Sequence, residues 1–306
     1  MKPSLPFRFA IACLSILPLA CAPGEDASAA GGRIVAIGDL HGDLEAARRA
    51  LRLADAIDAQ DRWIGKDLTV VQTGDEIDRG DDDRLILDLF EKLKAEAAKA
   101  GGSVHALNGN HEIMNALGDF RYVTSGGFMA FYSIKGLNLG LPGLGKLPQP
   151  MRPRAAAFAP GGPYAKILAQ RPVILVLAGN VFVHGGVLPP HAKLGVDQIN
   201  QGYQDWLAGS TAQLPEMLSD PQSPIWTRIY SDPKEAPACE MLDETLSKLG
   251  ARRMVVGHSA QSEINSACQG RVWRIDVGMA RVYGGPIQVL EIRGDQLRVL
   301  SETKPG

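Results

Sequence analysis

Residues 33–42 read Arg33-Ile34-Val35-Ala36-Ile37-Gly38-Asp39-Leu40-His41-Gly42. The first five are a short apolar, β-branched run of the kind that forms a buried strand, and they empty into a glycine-bracketed loop carrying an acid and an imidazole. A helical pattern follows through Ala54. The same order then recurs. Leu68 to Gln72 is apolar, Thr73 to Gly80 is a polar loop, and Leu85, Leu89 and Leu93 return at helical spacing before Gly101 and Gly102 close the helix. A third run, Val104 to Leu107, leads into Asn108-Gly109-Asn110-His111-Glu112. Right-handed crossovers between such units predict parallel strands with their polar loops along one edge.

Farther along, Val173 to Ala178 and Val181 to Val183 flank Gly179-Asn180, which predicts a hairpin whose second strand runs into His184-Gly185-Gly186. Met254 to Val256 runs into Gly257-His258-Ser259, and Val272 to Ile275 into Asp276-Val277-Gly278. A last hairpin is expected around Arg293-Gly294-Asp295. The pattern is an α/β sandwich of mixed sheets flanked by helices, with polar residues gathered at strand ends, and we read 33–303 as a single catalytic domain. Two stretches, 118–172 and 187–237, carry little periodicity and read as cap-like insertions shaping substrate access.

With 306 residues, 45% hydrophobic and 22% charged, and a formal net charge of −2, the chain has an ordinary globular composition and no basic footprint for nucleic acid. Its N-terminus differs. Lys2 and Arg8 precede an apolar run from Phe9 to Leu19, too short to span a bilayer comfortably, which reads as an export signal over 1–21 followed by a flexible tether over 22–32. Leu17-Pro18-Leu19-Ala20-Cys21 approximates a lipoprotein signal, with Pro18 where a Leu is usual. Ala27-Ser28-Ala29 offers the alternative of soluble export. The expected location is the periplasm or cell envelope, with any membrane attachment through lipid on Cys21. Cys239 and Cys268 would remain for an oxidising compartment, either as a disulfide or as two buried thiols.

Four of six histidines, His41, His111, His184 and His258, lie in loops directly after expected strands, and Asp39, Asp75 and Asn110 occupy equivalent positions. Such a mixed nitrogen and oxygen donor set suits Mn, Fe or Zn better than Ca. Two ions about 3.5–4 Å apart would need a bridging carboxylate, and Asp75 is the bridge candidate. His105, in mid-strand, reads as a core histidine. His191, after Pro189-Pro190, reads as a surface one. Gly140 to Lys146 has the spacing of a phosphate-binding loop, but Leu147 stands where Ser or Thr belongs.

Gly38-Asp39-Leu40-His41-Gly42, Gly74-Asp75-Glu76-Ile77-Asp78-Arg79-Gly80 and Gly109-Asn110-His111-Glu112, in that order, resemble the three signatures of phosphoprotein phosphatase-type, calcineurin-like metallophosphoesterases. His184-Gly185-Gly186 and Gly257-His258-Ser259 match the two later histidine motifs. Trp273 to Met279 with Tyr283-Gly284-Gly285 looks most like the bacterial Shewanella-like phosphatases. The resemblance implies a β-sandwich with its metal site at the C-terminal ends of strands. It also implies that Asp39, His41 and Asp75 bind one metal and Asp75, Asn110, His184 and His258 the other, manganese first, with iron or zinc as alternatives. Attack would come from a hydroxide bridging the metals. His111 would give its proton to the leaving oxygen, with Asp78 orienting the imidazole, and Arg79 would grip the phosphate. Arg228 is the candidate second clamp, and Tyr283 falls where the family often places an active-site tyrosine.

The activity expected is hydrolysis of phosphate monoesters, on phosphoserine and phosphothreonine or phosphotyrosine in a protein, or in a small phosphoester. The alternatives are a nucleotide phosphohydrolase resembling the symmetrical diadenosine tetraphosphatases, which share the metal motifs, and a non-catalytic, metal-bound binding module.

Overall fold

The computed structural model describes Met1 and residues 32–212, 214–215, 217, 220–231 and 239–302. The expected export signal, Cys21 and the tether up to residue 31 lie outside them. Strand β1, Arg33–Ile37, is parallel to β2, Thr69–Gln72, which is parallel to β3, Ser103–Ala106. The other edge of β1 pairs antiparallel with β9, Gln288–Arg293, which pairs with β10, Gln296–Ser301, giving the order β10-β9-β1-β2-β3. The second sheet contains β4, Ile174–Leu177, β5, Asn180–Val183, β6, Arg253–Val256, β7, Asn265–Ala267, and β8, Val272–Arg274, in the order β4-β5-β6-β8-β7. Both sheets are mixed.

Strands β5 and β6 are buried on both faces, and their alternation divides the interior. Phe182 and Val255 turn toward the first sheet, whereas Val181, Val183, Met254 and Val256 join the core on the far side. Helix α1, Leu44–Leu53, covers the first sheet through Leu44, Ala46, Ala47, Ala50 and Leu51, and is capped by Asp43 Oδ1 accepting from the Ala46 amide at 3.1 Å. Helix α2, Asp83–Ala100, ends at Gly101 in the left-handed region, φ 86°. Its buried stripe includes Ile86, Leu89, Phe90, Leu93 and Ala97. Leu85, counted in the apolar repeat, is 52% exposed, one position off that stripe.

The two insertions are more than covers. Helices α4, Ser125–Met129, α5, Arg152–Phe158, and α6, Pro163–Leu168, follow α3, Asn110–Ala116. They bury Phe131, Phe158, Tyr164 and Leu168 with Ile77, Leu87 and Ile113 in the second core. Helices of five to seven residues are too short to show a period in sequence. In the second insertion, α7, Pro189–Leu194, and α8, Val196–Ala208, pack beneath β4 and β5. The phosphate-loop look-alike ends in a single 3₁₀ turn, Leu144–Lys146.

Two histidine expectations are corrected. His191 is buried, 5% exposed, because its Nδ1 accepts the Leu188 amide at 3.1 Å and closes the start of α7. His105 is half-buried rather than core, since β3 is an edge strand and His105 alternates outward between Val104 and Ala106. Of the two states left open for the cysteines, Cys239 and Cys268 form the disulfide, Cα atoms 5.5 Å apart, tying helix α9, Cys239–Leu249, to the turn between β7 and β8. Among the described residues no helix is long and apolar enough to cross a membrane.

Candidate metal centre

The loops after β1, β2, β3, β5 and β6 meet where the two sheets abut. The loop after β1 is laid on the loop after β2 by three backbone bonds: the Leu40 and His41 amides donate to Asp75 O, both at 3.0 Å, and Gly42 donates to Glu76 O at 2.9 Å. That approach needs glycine at both contacts. A Cβ on Gly80 would fall 2.2 Å from Gly42 O, and one on Gly42 2.4 Å from Asp83 Oδ1.

Strain concentrates here as well. His41, Asp75, Asp78, Arg79 and His258 all have positive φ, between 43° and 70°, which non-glycine residues adopt only when their surroundings enforce it. Glu112 is one enforcing group. From the third position of α3 its Oε2 accepts the Gly109 amide at 2.7 Å and the Asp75 amide at 2.9 Å, while Oε1 accepts the Glu76 amide at 2.9 Å. Asp75 Oδ1 accepts the His111 amide at 3.0 Å, which leaves Oδ2 pointing into the centre.

Around Oδ2 the donors converge. His184 Nε2 is 3.2 Å from Asp75 Oδ2, 2.9 Å from Asn110 Oδ1 and 3.0 Å from His258 Nδ1. The tautomers follow from the opposite ring atoms: His184 Nδ1 faces Thr73 O at 3.0 Å and His258 Nε2 faces Trp226 O at 3.1 Å. A carbonyl only accepts, so each of those nitrogens carries its hydrogen and the inward one presents a bare lone pair in the neutral ring. On the other side of Asp75, His41 Nδ1 is turned to Ile77 O at 3.3 Å. Its Nε2 lies 3.9 Å from Asp75 Oδ2 and 3.8 Å from Asp39 Oδ2.

These donors fit metal ions. Asp75 belongs to two buried triads whose ligand atoms lie within 4.8 Å of one another, one with His184 and His258, the other with His41 and His111. His111 differs from the rest because its Nδ1 is committed to Asp78 Oδ2 at 2.7 Å; Asp39 is the better donor beside His41. The electrostatics agree. Burial, with Asp276 and Asp75 beside it, pushes Asp39 well above the usual carboxylate range, and burial raises Asp276 to about 6. Burial also lowers His41 to about 3 and His258 well below its ordinary value, keeping both in the neutral form that ligates metal. Acids crowded beside neutral imidazoles make a donor set whose charge bound cations would balance.

His111 goes the other way. Burial opposes its charge, but the Asp75 carboxylate and the Asp78 hydrogen bond outweigh it and raise the imidazole above its ordinary value. Its Nε2 is 3.8 Å from Asp75 Oδ2. Arg79 lies between two rings, its Cζ 4.4 Å from the Tyr122 centroid and 5.4 Å from that of Tyr283, and its buried Nε has no hydrogen-bond partner. Tyr122 also packs 5.1 Å from the His111 ring, and Tyr283 5.4 Å from His41. A groove of about 470 Å³ opens beside His41 and Arg79, bordered by Asp81, Thr124, Arg281 and Val282. Arg228 reaches the rim from the second insertion, its Nη1 donating to His258 O at 2.9 Å and Ser259 Oγ at 2.6 Å.

Thus Asp39, His41, Asp75, Asn110, His184 and His258 meet in one centre, with His111, Asp78, Arg79 and Tyr283 beside them and Arg228 at the rim. Sequence reasoning missed Tyr122 and Arg154. Arg154, from α5, is fully buried and bonded to Asp78 Oδ1 at 2.9 Å. Tyr122 carried a faint signal as an aromatic in a Gly-rich stretch; Arg154 carried none.

The calcineurin-like phosphoesterase family profile matches residues 32–262. Shewanella-like protein phosphatase 2 of Arabidopsis thaliana is 40% identical over 295 residues, covering 86% of this chain and 75% of that one. Shewanella-like protein phosphatase 1 of Plasmodium berghei (strain Anka) is 30% identical over 276 residues, covering 83% and 70%. Among solved structures, the cold-active protein-tyrosine phosphatase of a psychrophilic Shewanella species superposes with a TM-score of 0.69 at 24% identity, over 88% of this chain and 80% of that one, a likeness of fold.

Proposed function

The chain belongs to the calcineurin-like phosphoesterase family, and we propose that it is a metal-dependent phosphomonoesterase of the protein phosphatase type, acting on phosphotyrosine ahead of phosphoserine and phosphothreonine. The observation that carries the reading is the convergence of His184 Nε2, His258 Nδ1, Asn110 Oδ1 and Asp75 Oδ2 on one point beside the Asp78–His111 pair. In this reading Asp39, His41 and Asp75 hold one ion and Asp75, Asn110, His184 and His258 the other, with manganese as the first candidate and iron or zinc as alternatives. Two such ions supply an acidified water and offset the charge that grows on the phosphoryl oxygens.

The protein's own groups do the rest. Arg79, braced between Tyr122 and Tyr283, aims its fork at the phosphoryl oxygens, and Arg228 is the second clamp. His111 gives its Nε2 proton to the departing oxygen while Asp78 holds the ring by Nδ1. The preference for phosphotyrosine is supported by the exposed rings of Tyr122 and Tyr283, 38% and 45% exposed, which offer faces to an aryl ester at the mouth. A relative in fold is named a protein-tyrosine phosphatase. Action outside the cytoplasm is supported by the N-terminal signal pattern and by the Cys239–Cys268 disulfide.

The test is hydrolysis of 4-nitrophenyl phosphate, phosphotyrosine and phosphoserine peptides and diadenosine tetraphosphate by the full chain, stripped with chelator and assayed with and without manganese. Manganese-restored turnover of the aryl ester and peptides, phosphotyrosine fastest, is expected. Cleavage of the dinucleotide alone would replace this reading with the nucleotide hydrolase, and silence on every ester with metal bound would leave a binding module.

A further inference from the structure

Arg154 stands in the first insertion, 76 residues along the chain from Asp78, yet it has no solvent exposure and its guanidinium is spent almost entirely on the catalytic corner. Nη2 donates to Asp78 Oδ1 at 2.9 Å, Nε to Asn115 Oδ1 at 2.7 Å, and Nη1 to Gly127 O at 2.9 Å and to Asp83 Oδ2 at 2.5 Å. The rings of Phe131 and Phe158 enclose it, with Cζ 5.0 and 5.1 Å from their centroids. Asn115, held by Arg154 through its oxygen, uses its Nδ2 to donate to Asp78 Oδ1 at 2.9 Å and to His111 O at 3.0 Å. Asp83, the other anion on Arg154, accepts the Asp78 amide on its Oδ1 at 3.0 Å.

Among the described residues, the hydrogen bonds to Asp78 other than that of His111 therefore all come from this cation or its direct partners. The Asp78 carboxylate has two oxygens. With Oδ1 fixed by Arg154 and Asn115, Oδ2 is left facing His111 Nδ1, and rotation about the Cβ–Cγ bond is blocked. We propose that Arg154 is the positioning residue of the proton-donating pair: the Arg154–Asn115 clamp on Asp78 Oδ1 sets the aim of the His111 imidazole on the leaving oxygen. Among the described residues Arg154 makes no hydrogen bond to a metal-binding side chain, so it acts through Asp78 and through Asn115, which also holds His111 O. The proposal rests on the phosphomonoesterase reading and names a residue that the reading does not require.

A buried cation facing two carboxylates cannot be removed without cost, because its loss leaves buried charge unpaired. Two variants separate folding from function: Arg154→Met, and Arg154→Met with Asp83→Asn, which removes one charge of each sign and keeps an acceptor for the Asp78 amide. Each is assayed as the manganese-loaded full chain on phenyl phosphate, a poor leaving group, and on 4-nitrophenyl phosphate, a good one, in the wild-type and His111→Asn backgrounds.

We expect kcat on phenyl phosphate to fall on the order of a hundredfold, within the range positioned acid catalysis supplies, with KM unchanged and about tenfold less loss on the nitrophenyl ester. In the His111→Asn background the same changes should alter kcat less than about twofold, since residues acting as one unit are not additive. If Arg154→Met does not fold, the charge-matched double variant decides between the two outcomes. Equal losses on the two esters, or a full further loss in the His111→Asn background, would reduce Arg154 to a structural cation. A wild-type enzyme silent on both esters would instead sink the phosphomonoesterase reading and this role with it.

Discussion

His184 Nε2 and His258 Nδ1 lie 3.0 Å apart, two imidazole nitrogens aimed at each other because the opposite nitrogen of each ring faces a backbone carbonyl. Without a cation, that contact sets lone pair against lone pair. We therefore expect chelation to lower the thermal midpoint and manganese to restore it with the logarithm of its concentration, since a ligand of the native state stabilises by about 2.7 kcal/mol at a hundred times its Kd. A midpoint indifferent to chelator and manganese would refute the metal assignment.

Asp75 lies within reach of His41, His111 and His184, and its Oδ2 is the shared corner of both donor groups. Asp75→Asn keeps the shape and removes the charge, so turnover should be abolished and the metal content of purified protein should drop from two ions per chain. Retention of both ions by this variant would mean that the bridge lies elsewhere.

His111 should reveal its role through leaving-group sensitivity. In His111→Asn both metals should stay bound, while kcat falls on the order of a hundredfold or more on phenyl phosphate and far less on 4-nitrophenyl phosphate, because a good leaving group departs without a proton. Equal losses on both would argue against His111 as the acid.

Tyr122 stacks on Arg79 at 4.4 Å and exposes a face at the mouth of the groove. Replacing it with Leu should lower kcat/KM on a phosphotyrosine peptide about three- to tenfold, the scale of one exposed aromatic or cation–π contact. The phosphoserine peptide should lose less. Identical losses would confine Tyr122 to bracing Arg79.

His191 offers a pH dependence well away from the metal centre. Burial lowers it below its ordinary 6.5, with Asp220 opposing, and its Nδ1 accepts the Leu188 amide. The unfolded chain binds this proton more readily than the folded one. The stability contributed is therefore complete above pH 6.5 and is lost as pH falls below it, at no more than about 1.4 kcal/mol per pH unit. Urea melts at pH 7.5 and 5.5 should show a smaller acid-induced loss in His191→Asn, whose side-chain oxygen can replace the acceptor; an unchanged loss would clear His191 of the effect.

What the sequence disclosed and what it hid divide along a physical line. The loops after β1, β2 and β3 were readable because each places glycine and acid, joined by an imidazole in the first and third and by Arg79 in the second, within five to seven adjacent residues at a strand end, so local pattern and final position coincide. Strand β7, three residues of Asn265–Ala267, was missed because it is too short and too polar to alternate. Leu85 shares the helical spacing of the buried Leu89 and Leu93 yet is exposed, because leucine at a spacing of four fits a helix whichever face is buried. Arg154 was invisible, since an arginine in a Gly- and Pro-rich stretch reads as solvated, and only tertiary packing brings Asp78, Asp83, Phe131 and Phe158 around it. His191 misled for the same reason, its neighbouring prolines suggesting a turn at the surface.

The location of Arg154 has a consequence for anyone reshaping this enzyme. The segment 118–172 borders the groove and invites replacement with a relative's version to change substrate range. Yet the same stretch contributes the cation beneath Asp78 and both rings that enclose it. A transplant chosen for its outer face alone would discard that underside, leaving two buried carboxylates without their counterion. On the proposed roles, substrate choice and proton delivery would draw on opposite sides of one segment.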